Sequence, residues 1–122
     1  MQLYESGEMY LETILILSRR MENVRSIDIV KEMGFSKPSV SNAMKNLREG
    51  GYISVSGEGY ITFTDEGERI AQKIFERHVV LTECFLRLGV SEEVAADDAC
   101  RIEHIISDET FNAIKTHLEK NR

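Results

Sequence analysis

Residues 26–52, SIDIVKEMGFSKPSVSNAMKNLREGGY, hold two runs of helical spacing separated by one short break. The first run begins at Ser26, a residue type suited to capping a helix, and stops at Gly34, the type expected just past a helix end. Phe35 and Ser36 complete a tight connection. Pro38 then opens the second run, where its missing N–H leaves no helical bond unmade. Helix, short glycine-containing turn and helix is the helix-turn-helix pattern. In the second run Val40, Ala43, Met44 and Leu47 fall at i, i+3, i+4 and i+7 and form an inward stripe. Ser39, Ser41, Asn42, Lys45 and Asn46 then face out, small polar and amide side chains of the sort that reach base edges and phosphates.

The flanks extend the same reading. After Gly50 and Gly51, Tyr52–Val55 and Tyr60–Phe63 alternate around Gly57-Glu58-Gly59, the pattern of a β-hairpin and hence of a wing. Before the motif, Tyr10, Ile14 and Leu17 share a face of a helix predicted from about Glu5 to Arg19. Behind Thr64, a long helix is predicted from Asp65 to about Leu88, with Ile70, Ile74, His78, Leu81, Phe85 and Leu88 on one face and Gly89 at its end. Ser91 is expected to cap a further helix bearing Val94, Cys100, Glu103 and His104. Ser107 and Asp108 start a last one bearing Phe111, Ile114 and Leu118. The expected fold is mainly α with a small β wing. A winged helix-turn-helix DNA-binding domain over 1–64 is followed by a helical domain over 65–122, joined by the long helix 65–88. The apolar faces exceed what a small winged domain needs, which predicts helical dimer contacts.

Composition narrows the function. A chain of 122 residues with 42% hydrophobic content buries one core, or two small lobes sharing a helix. No apolar run is long enough to span a bilayer, and Met1–Met9 carry Glu5 and Glu8 where a secretory leader carries basic residues. A cytoplasmic protein with no membrane partner is expected, and Cys84 and Cys100 are expected to be thiols. The formal net charge of −6 excludes coating nucleic acid by bulk electrostatics, so DNA binding must be local. Charge is unevenly spread: residues 35–52 hold Lys37, Lys45 and Arg48 against Glu49 alone, whereas residues 91–98 hold Glu92, Glu93, Asp97 and Asp98.

Cys100, Glu103 and His104 stand at i, i+3 and i+4, which puts thiolate, carboxylate and imidazole on one side of a helix. One divalent ion could touch all three, and a mixed S, O and N set suits Fe(II), Mn(II), Co(II) or Zn(II) better than Ca or Mg. The same spacing also fits a buried Cys, a surface Glu and a helix-boundary His, and spacing alone does not decide between the two. On the bare pattern Met9 and Glu12, at i and i+3, read as core filler and a solvated charge, and His78 reads as a core histidine.

Several motifs in order resemble the DtxR/MntR family of metal-dependent repressors over nearly the whole chain. They are Glu8-Met9-Tyr10-Leu11-Glu12, Phe35-Ser36-Lys37-Pro38-Ser39-Val40-Ser41, Phe63-Thr64-Asp65-Glu66-Gly67, Arg77-His78, Cys100-Arg101-Ile102-Glu103-His104 and Ser107-Asp108-Glu109. The resemblance implies a regulatory metal held by Met9, Cys100, Glu103 and His104, as in the iron-sensing branch, with Glu12 shared with the manganese type. It implies a second metal position at His78, altered here by Thr82, by Glu83 pointing away and by Ala96, or served by Glu12 and Glu103. It implies a short form without the SH3-like domain of longer relatives.

These readings together predict a homodimeric, metal-activated repressor of iron or manganese homeostasis genes, with no catalytic residues. Fe(II) is expected first and Mn(II) next, with Zn(II) or Co(II) binding in vitro. Its partner is a palindromic double-stranded operator, whose half-sites one turn apart place the recognition helices about 34 Å apart. Ser36, Pro38, Ser39, Ser41 and Asn42 are the candidates for the major groove, Lys37 flanks them, and Arg25, Lys45 and Arg48 are the candidates for phosphate. The rivals are a metal-independent winged-helix regulator answering to an organic ligand or partner, and a small metal hydrolase with Glu103 as base. The hydrolase would lack a His-Glu-x-x-His run or a phosphate-binding loop.

Overall fold

The computed structural model describes residues 5–122. Met1–Tyr4, the start of the stretch read against a secretory leader, lie outside the described residues. Contacts divide the chain into a unit ending at Gln72 and a unit from Lys73 to Arg122.

The first unit contains α1 (Glu5–Arg20), α2 (Ser26–Met33), α3 (Lys37–Glu49), β1 (Ile53–Val55), β2 (Ile61–Phe63) and the start of α4 (Asp65–Arg87). α1 packs on α2 and α3, α2 on α3, and α3 on β1. Leu11, Ile14, Ile29, Val40 and Ile53 are all but sealed from solvent in this core, each worth ~1.5–3 kcal/mol of burial. The α3 stripe is as expected: Val40, Met44 and Leu47 are buried, Ala43 is half-buried, and Ser39, Ser41, Asn42, Lys45 and Asn46 are exposed.

Two start signals differ from expectation by one residue. Ser26 is the first helical residue of α2, and Arg25 is the N-cap, because Asp28 accepts the Arg25 backbone N–H at 2.9 Å and so closes the helix start from inside. α3 begins at Lys37, capped by Ser36, whose hydroxyl accepts the Ser39 N–H at 3.2 Å, and Pro38 lies within the first turn. Gly34 ends α2 in the left-handed region, at φ 72°, a conformation costly for any residue with a Cβ.

The wing pairs antiparallel in the register Ile53–Phe63, Ser54–Thr62 and Val55–Ile61. The segment before α2 joins it, with the Ile61 N–H donating to the Val24 carbonyl at 2.8 Å. Thr64 locks the base of the wing. Its backbone N–H donates to the Tyr52 carbonyl at 3.1 Å, its hydroxyl donates to the Gly51 carbonyl at 2.7 Å, and that hydroxyl accepts the Gly67 N–H at 3.2 Å as the cap of α4. This brings the first turn of α4 onto the backbone of Tyr52, and only glycine fits at position 67.

The second unit contains the rest of α4, α5 (Glu92–Ile102) and α6 (Asp108–Lys120). Val80, Phe111 and Leu118 form its core with Cys84, Ile106 and Ile114 packed around them, and Leu81, Ala95 and Ala99 are buried. Cys84 and Cys100 form no disulfide. Leu88, expected on the inward face, is 75% exposed, because α4 closes at Arg87 and the turn into Gly89 carries Leu88 outward. Ser91 holds the N-cap position of α5 through its backbone alone, its carbonyl accepting the Ala95 N–H at 2.8 Å. α5 ends at Ile102; Glu103 is its C-cap, still in right-handed helical geometry with its N–H on the Ala99 carbonyl, and His104 lies in the turn beyond. Ser107 caps α6 as expected, accepting the Thr110 N–H at 3.1 Å. No helix among the described residues is long and apolar enough to cross a membrane.

A Cβ on Gly67 would stand 1.9 Å from the Tyr52 carbonyl oxygen, backbone that cannot yield cheaply, whereas at Gly57 on the wing tip a Cβ meets nothing within 4 Å. Gly67→Ala is therefore expected to destabilise the protein by about 2–3 kcal/mol. Gly57→Ala is expected to stay within about 0.5 kcal/mol, both read from urea unfolding midpoints.

Candidate metal centre and nucleic-acid interface

Glu103 is fully buried, and its two carboxylate oxygens meet two imidazoles. Oε2 lies 2.9 Å from His78 Nδ1, and Oε1 lies 3.3 Å from His104 Nε2. The His104 side chain is sealed from solvent, while that of His78 keeps 31% of its surface. His78 reaches in from α4, whereas Glu103 and His104 are presented by the turn that follows α5. That turn is folded by local backbone bonds: the Glu103 N–H donates to the Ala99 carbonyl at 2.9 Å, and the Ile105 and Ile106 N–H groups both donate to the Ile102 carbonyl.

Burying a carboxylate is costly unless positive charge or donors answer it. The hydrogen bond to Glu103 holds the His78 ring above its ordinary pKa, with burial pulling the other way. Oε1 of Glu103 is buried and takes no hydrogen bond among the described residues. A buried carboxylate with an imidazole on each oxygen offers O and N atoms of the kind a divalent transition ion takes, with Glu103 Oε1 and His104 Nε2 side by side and His78 on the opposite oxygen.

The predicted ligands divide accordingly. His78, Glu103 and His104 are brought together in the second unit, and Cys100, half-buried, lies in the last turn of α5 just before them. Met9 and Glu12 lie on α1 in the first unit, Met9 half-buried and Glu12 buried. Thr82 turns its hydroxyl onto the His78 carbonyl at 2.7 Å. Glu83 is taken by Arg122 at 2.7 Å and Arg87 at 3.2 Å, which matches its expected direction away from His78. Ala96 is half-buried in α5 and offers no donor.

On the first unit, Arg25, Ser36, Lys37, Pro38, Ser39, Ser41, Asn42, Lys45 and Arg48 are all exposed. Arg25 does not project alone. Its guanidinium lies 4.7 Å over the Tyr60 ring and donates to the Tyr60 hydroxyl at 3.1 Å, which ties the start of α2 to the wing. Ser36 and Ser39 share a hydroxyl hydrogen bond of 2.9 Å.

Tyr60, expected only as the start of a wing strand, Asp108, expected only at a helix start, and Arg77, quoted only within a family motif, carry contacts beyond those expectations. Arg77 is buried, and one guanidinium nitrogen donates to the carbonyls of Glu103 at 3.1 Å and Ile106 at 2.8 Å. The other nitrogen meets the Asp108 carboxylate, and the group lies 5.6 Å from the centre of the Phe111 ring. The signal was present: Arg77 falls at i+3 from Ile74 and i−4 from Leu81, a charge on a buried stripe.

An exposed polar recognition helix, a paired wing and a separate helical unit define a winged helix-turn-helix transcriptional regulator. The chain belongs to the iron-dependent repressor family. Residues 2–60 match that family's N-terminal DNA-binding domain, and residues 64–122 match its metal-binding and dimerisation domain. The chain is 36% identical over 112 residues to the transcriptional regulator MntR of Escherichia coli O6:H1, covering 92% of this chain and 72% of that one. It is 30% identical over 118 residues to an uncharacterised HTH-type transcriptional regulator of Methanocaldococcus jannaschii, covering 95% and 94% respectively. Among solved structures, a manganese-dependent transcriptional repressor in complex with manganese superimposes with a TM-score of 0.84 at 26% identity, over 93% of this chain. This chain spans about half, 52%, of that structure's length.

Asp108 bears on the stability of the second unit. Its carboxyl is held below the ordinary carboxylate range by Lys73, 3.2 Å away, and then by Arg77. A lowered pKa contributes stability that is present above the ordinary value and is lost as pH falls through the lowered one. Asp108→Asn is expected to lower the thermal midpoint at neutral pH, and the gap to the wild type is expected to close in acid. A gap that persists below the carboxylate range contradicts the assignment.

Proposed function

We propose that this chain is a cytoplasmic, homodimeric repressor whose affinity for a palindromic DNA operator is switched on by a divalent transition metal. The observation that carries the reading is the sealed Glu103 carboxylate between His78 and His104, inside the domain that the family uses for metal binding and dimerisation. His78, Glu103 and His104 would hold the ion, with Met9, Glu12 and Cys100 as the further donors that the resemblance supplies. The ion, when bound, supplies positive charge to a buried acidic cluster and a reason for several chain segments to keep one arrangement. A ligand shifts an equilibrium only by its differential affinity for the two states, and a ligand set drawn from α1 and from the second unit would meet that condition. Exposed Val79, Leu86, Leu88, Val94 and Ile105 on the second unit support self-association there.

Fe(II) and Mn(II) are the proposed metals. The thioether of Met9 and the thiol of Cys100 favour Fe(II), whereas the carboxylates and the 36% identity to MntR favour Mn(II). The chain acts by binding and not by turnover, with no residue assigned to catalysis. On DNA, Ser36, Pro38, Ser39, Ser41 and Asn42 read the major groove, flanked by Lys37, while Lys45, Arg48 and Arg25 bind phosphate, Arg25 in the company of Tyr60.

Selection from a random duplex library by the full chain tests this directly. Enrichment of an inverted repeat with Fe(II), Mn(II) or Co(II) present, and its loss with Glu103→Gln, is the expected result; identical enrichment by the metal-free protein sinks the metal reading. On the selected site, Asn42→Ala is expected to relax the preference at one adenine by about 1–3 kcal/mol. Lys45→Ala should lower the salt slope of binding by about one, uniformly across sequences.

A further inference from the structure

Arg77 stands one residue before His78 on α4, and its partners all belong to the segment that presents Glu103 and His104. It donates to the Glu103 and Ile106 carbonyls at 3.1 and 2.8 Å, which mark the two ends of the turn between α5 and α6, and it engages Asp108 at the start of α6. Ser107, the cap of α6, lies between the last two of these points, and Lys73 holds the same Asp108 carboxylate from one turn earlier on α4. Successive residues on a helix point about 100° apart, so Arg77 seizes the backbone of the turn while His78 meets the Glu103 side chain.

Stability alone does not account for this arrangement. The Arg77 side chain is 7% exposed, and its buried Nε has no hydrogen-bond partner among the described residues. A buried guanidinium seldom outperforms an apolar side chain of similar volume, and each buried unsatisfied donor has a cost. What a guanidinium provides is a rigid fork that holds several acceptors in one plane, which neither an apolar side chain nor the point charge of lysine reproduces.

We propose that Arg77, anchored by Asp108, is the positioning residue of the metal centre: it fastens the turn bearing Glu103 and His104 to the helix bearing His78, and so sets the geometry in which these three side chains meet an ion. The inference rests on the metal reading above and adds residues that do not touch the ion. Outer partners of this kind typically weaken metal binding by ~10–100-fold when removed.

Titration of the metal-free full chain with Co(II), followed by its ligand-field absorbance, tests the clamp. Arg77→Lys keeps the charge and loses the fork. Its Co(II) dissociation constant is expected to rise by ~10-fold or more, with a changed absorbance spectrum and unchanged helical circular dichroism. Asp108→Asn keeps the carbonyl bonds and loses the anchor, and a smaller weakening is expected. Glu76→Gln removes the surface pair of Glu76 with Lys115, 3.0 Å apart on the same two helices, and should leave Co(II) binding unchanged. A folded Arg77→Lys protein that melts earlier yet binds Co(II) with wild-type affinity and spectrum overturns the proposal. If Arg77→Lys does not fold, wild-type Co(II) affinity in Asp108→Asn overturns it instead. A wild-type chain that takes up no Co(II) defeats the metal reading, and the clamp with it.

Discussion

A carboxylate sealed from water must be answered by positive charge or by donors, and Glu103 places that demand at the centre of the C-terminal unit. Much of that unit meets the demand. His78 is held in its higher-pKa state by one oxygen, His104 faces the other, and Arg77 secures the backbone carbonyl of the same residue. The apolar cluster of Val80, Phe111 and Leu118 packs beside this polar network, with Phe111 under the guanidinium of Arg77. A network of this kind is worth keeping only when it is almost fully satisfied, since each open valence in a low-dielectric interior is expensive. Among the described residues Oε1 of Glu103 takes no hydrogen bond, and its nearest answer is His104 Nε2 at 3.3 Å.

The N-terminal unit is organised by a different economy. Its core is apolar apart from the buried Glu12 on α1, and the polar side chains of α3 stand outside, where a helix-turn-helix presents them to a groove. Its wing is held by hydrogen bonds at three points: the strand pairing, the Val24–Ile61 bridge, and Thr64, whose hydroxyl meets the Gly51 carbonyl and whose N–H meets the Tyr52 carbonyl. The pairing of Arg25 with Tyr60 adds a side-chain link between the start of α2 and the wing, so a residue suited to phosphate is also part of the scaffold. Local basic character in a chain of net charge −6 suits a protein whose DNA binding is conditional.

The helix-turn-helix was legible because its signals are local. Gly34 past α2, Ser36 and Pro38 at the start of α3, and the period of Val40, Ala43, Met44 and Leu47 each act over a few residues. Cap identity was less legible: Ser26 is the better capping residue type, but Asp28 bonds the Arg25 N–H and moves the boundary back by one. Leu88 was misplaced for a related reason, since helical spacing continues past the point where the closing turn ends the helix. The helical spacing of Cys100 and Glu103 holds to the C-cap of α5, whereas His104 lies in the turn beyond it, where Arg77 meets the Glu103 and Ile106 carbonyls.

By itself the amino-acid sequence determined the order and type of the elements, the polar face of α3, the residue types able to hold a metal and the family motifs that join them. Those features depend on interactions between residues close in the chain, which a linear pattern records. Only the tertiary structure decided that His78, 25 residues from Glu103, supplies its nearest imidazole, and that Arg77 reaches 31 residues forward to Asp108. Such pairings depend on which helix faces are driven together by burial, and no periodicity along the chain encodes which charge will meet which.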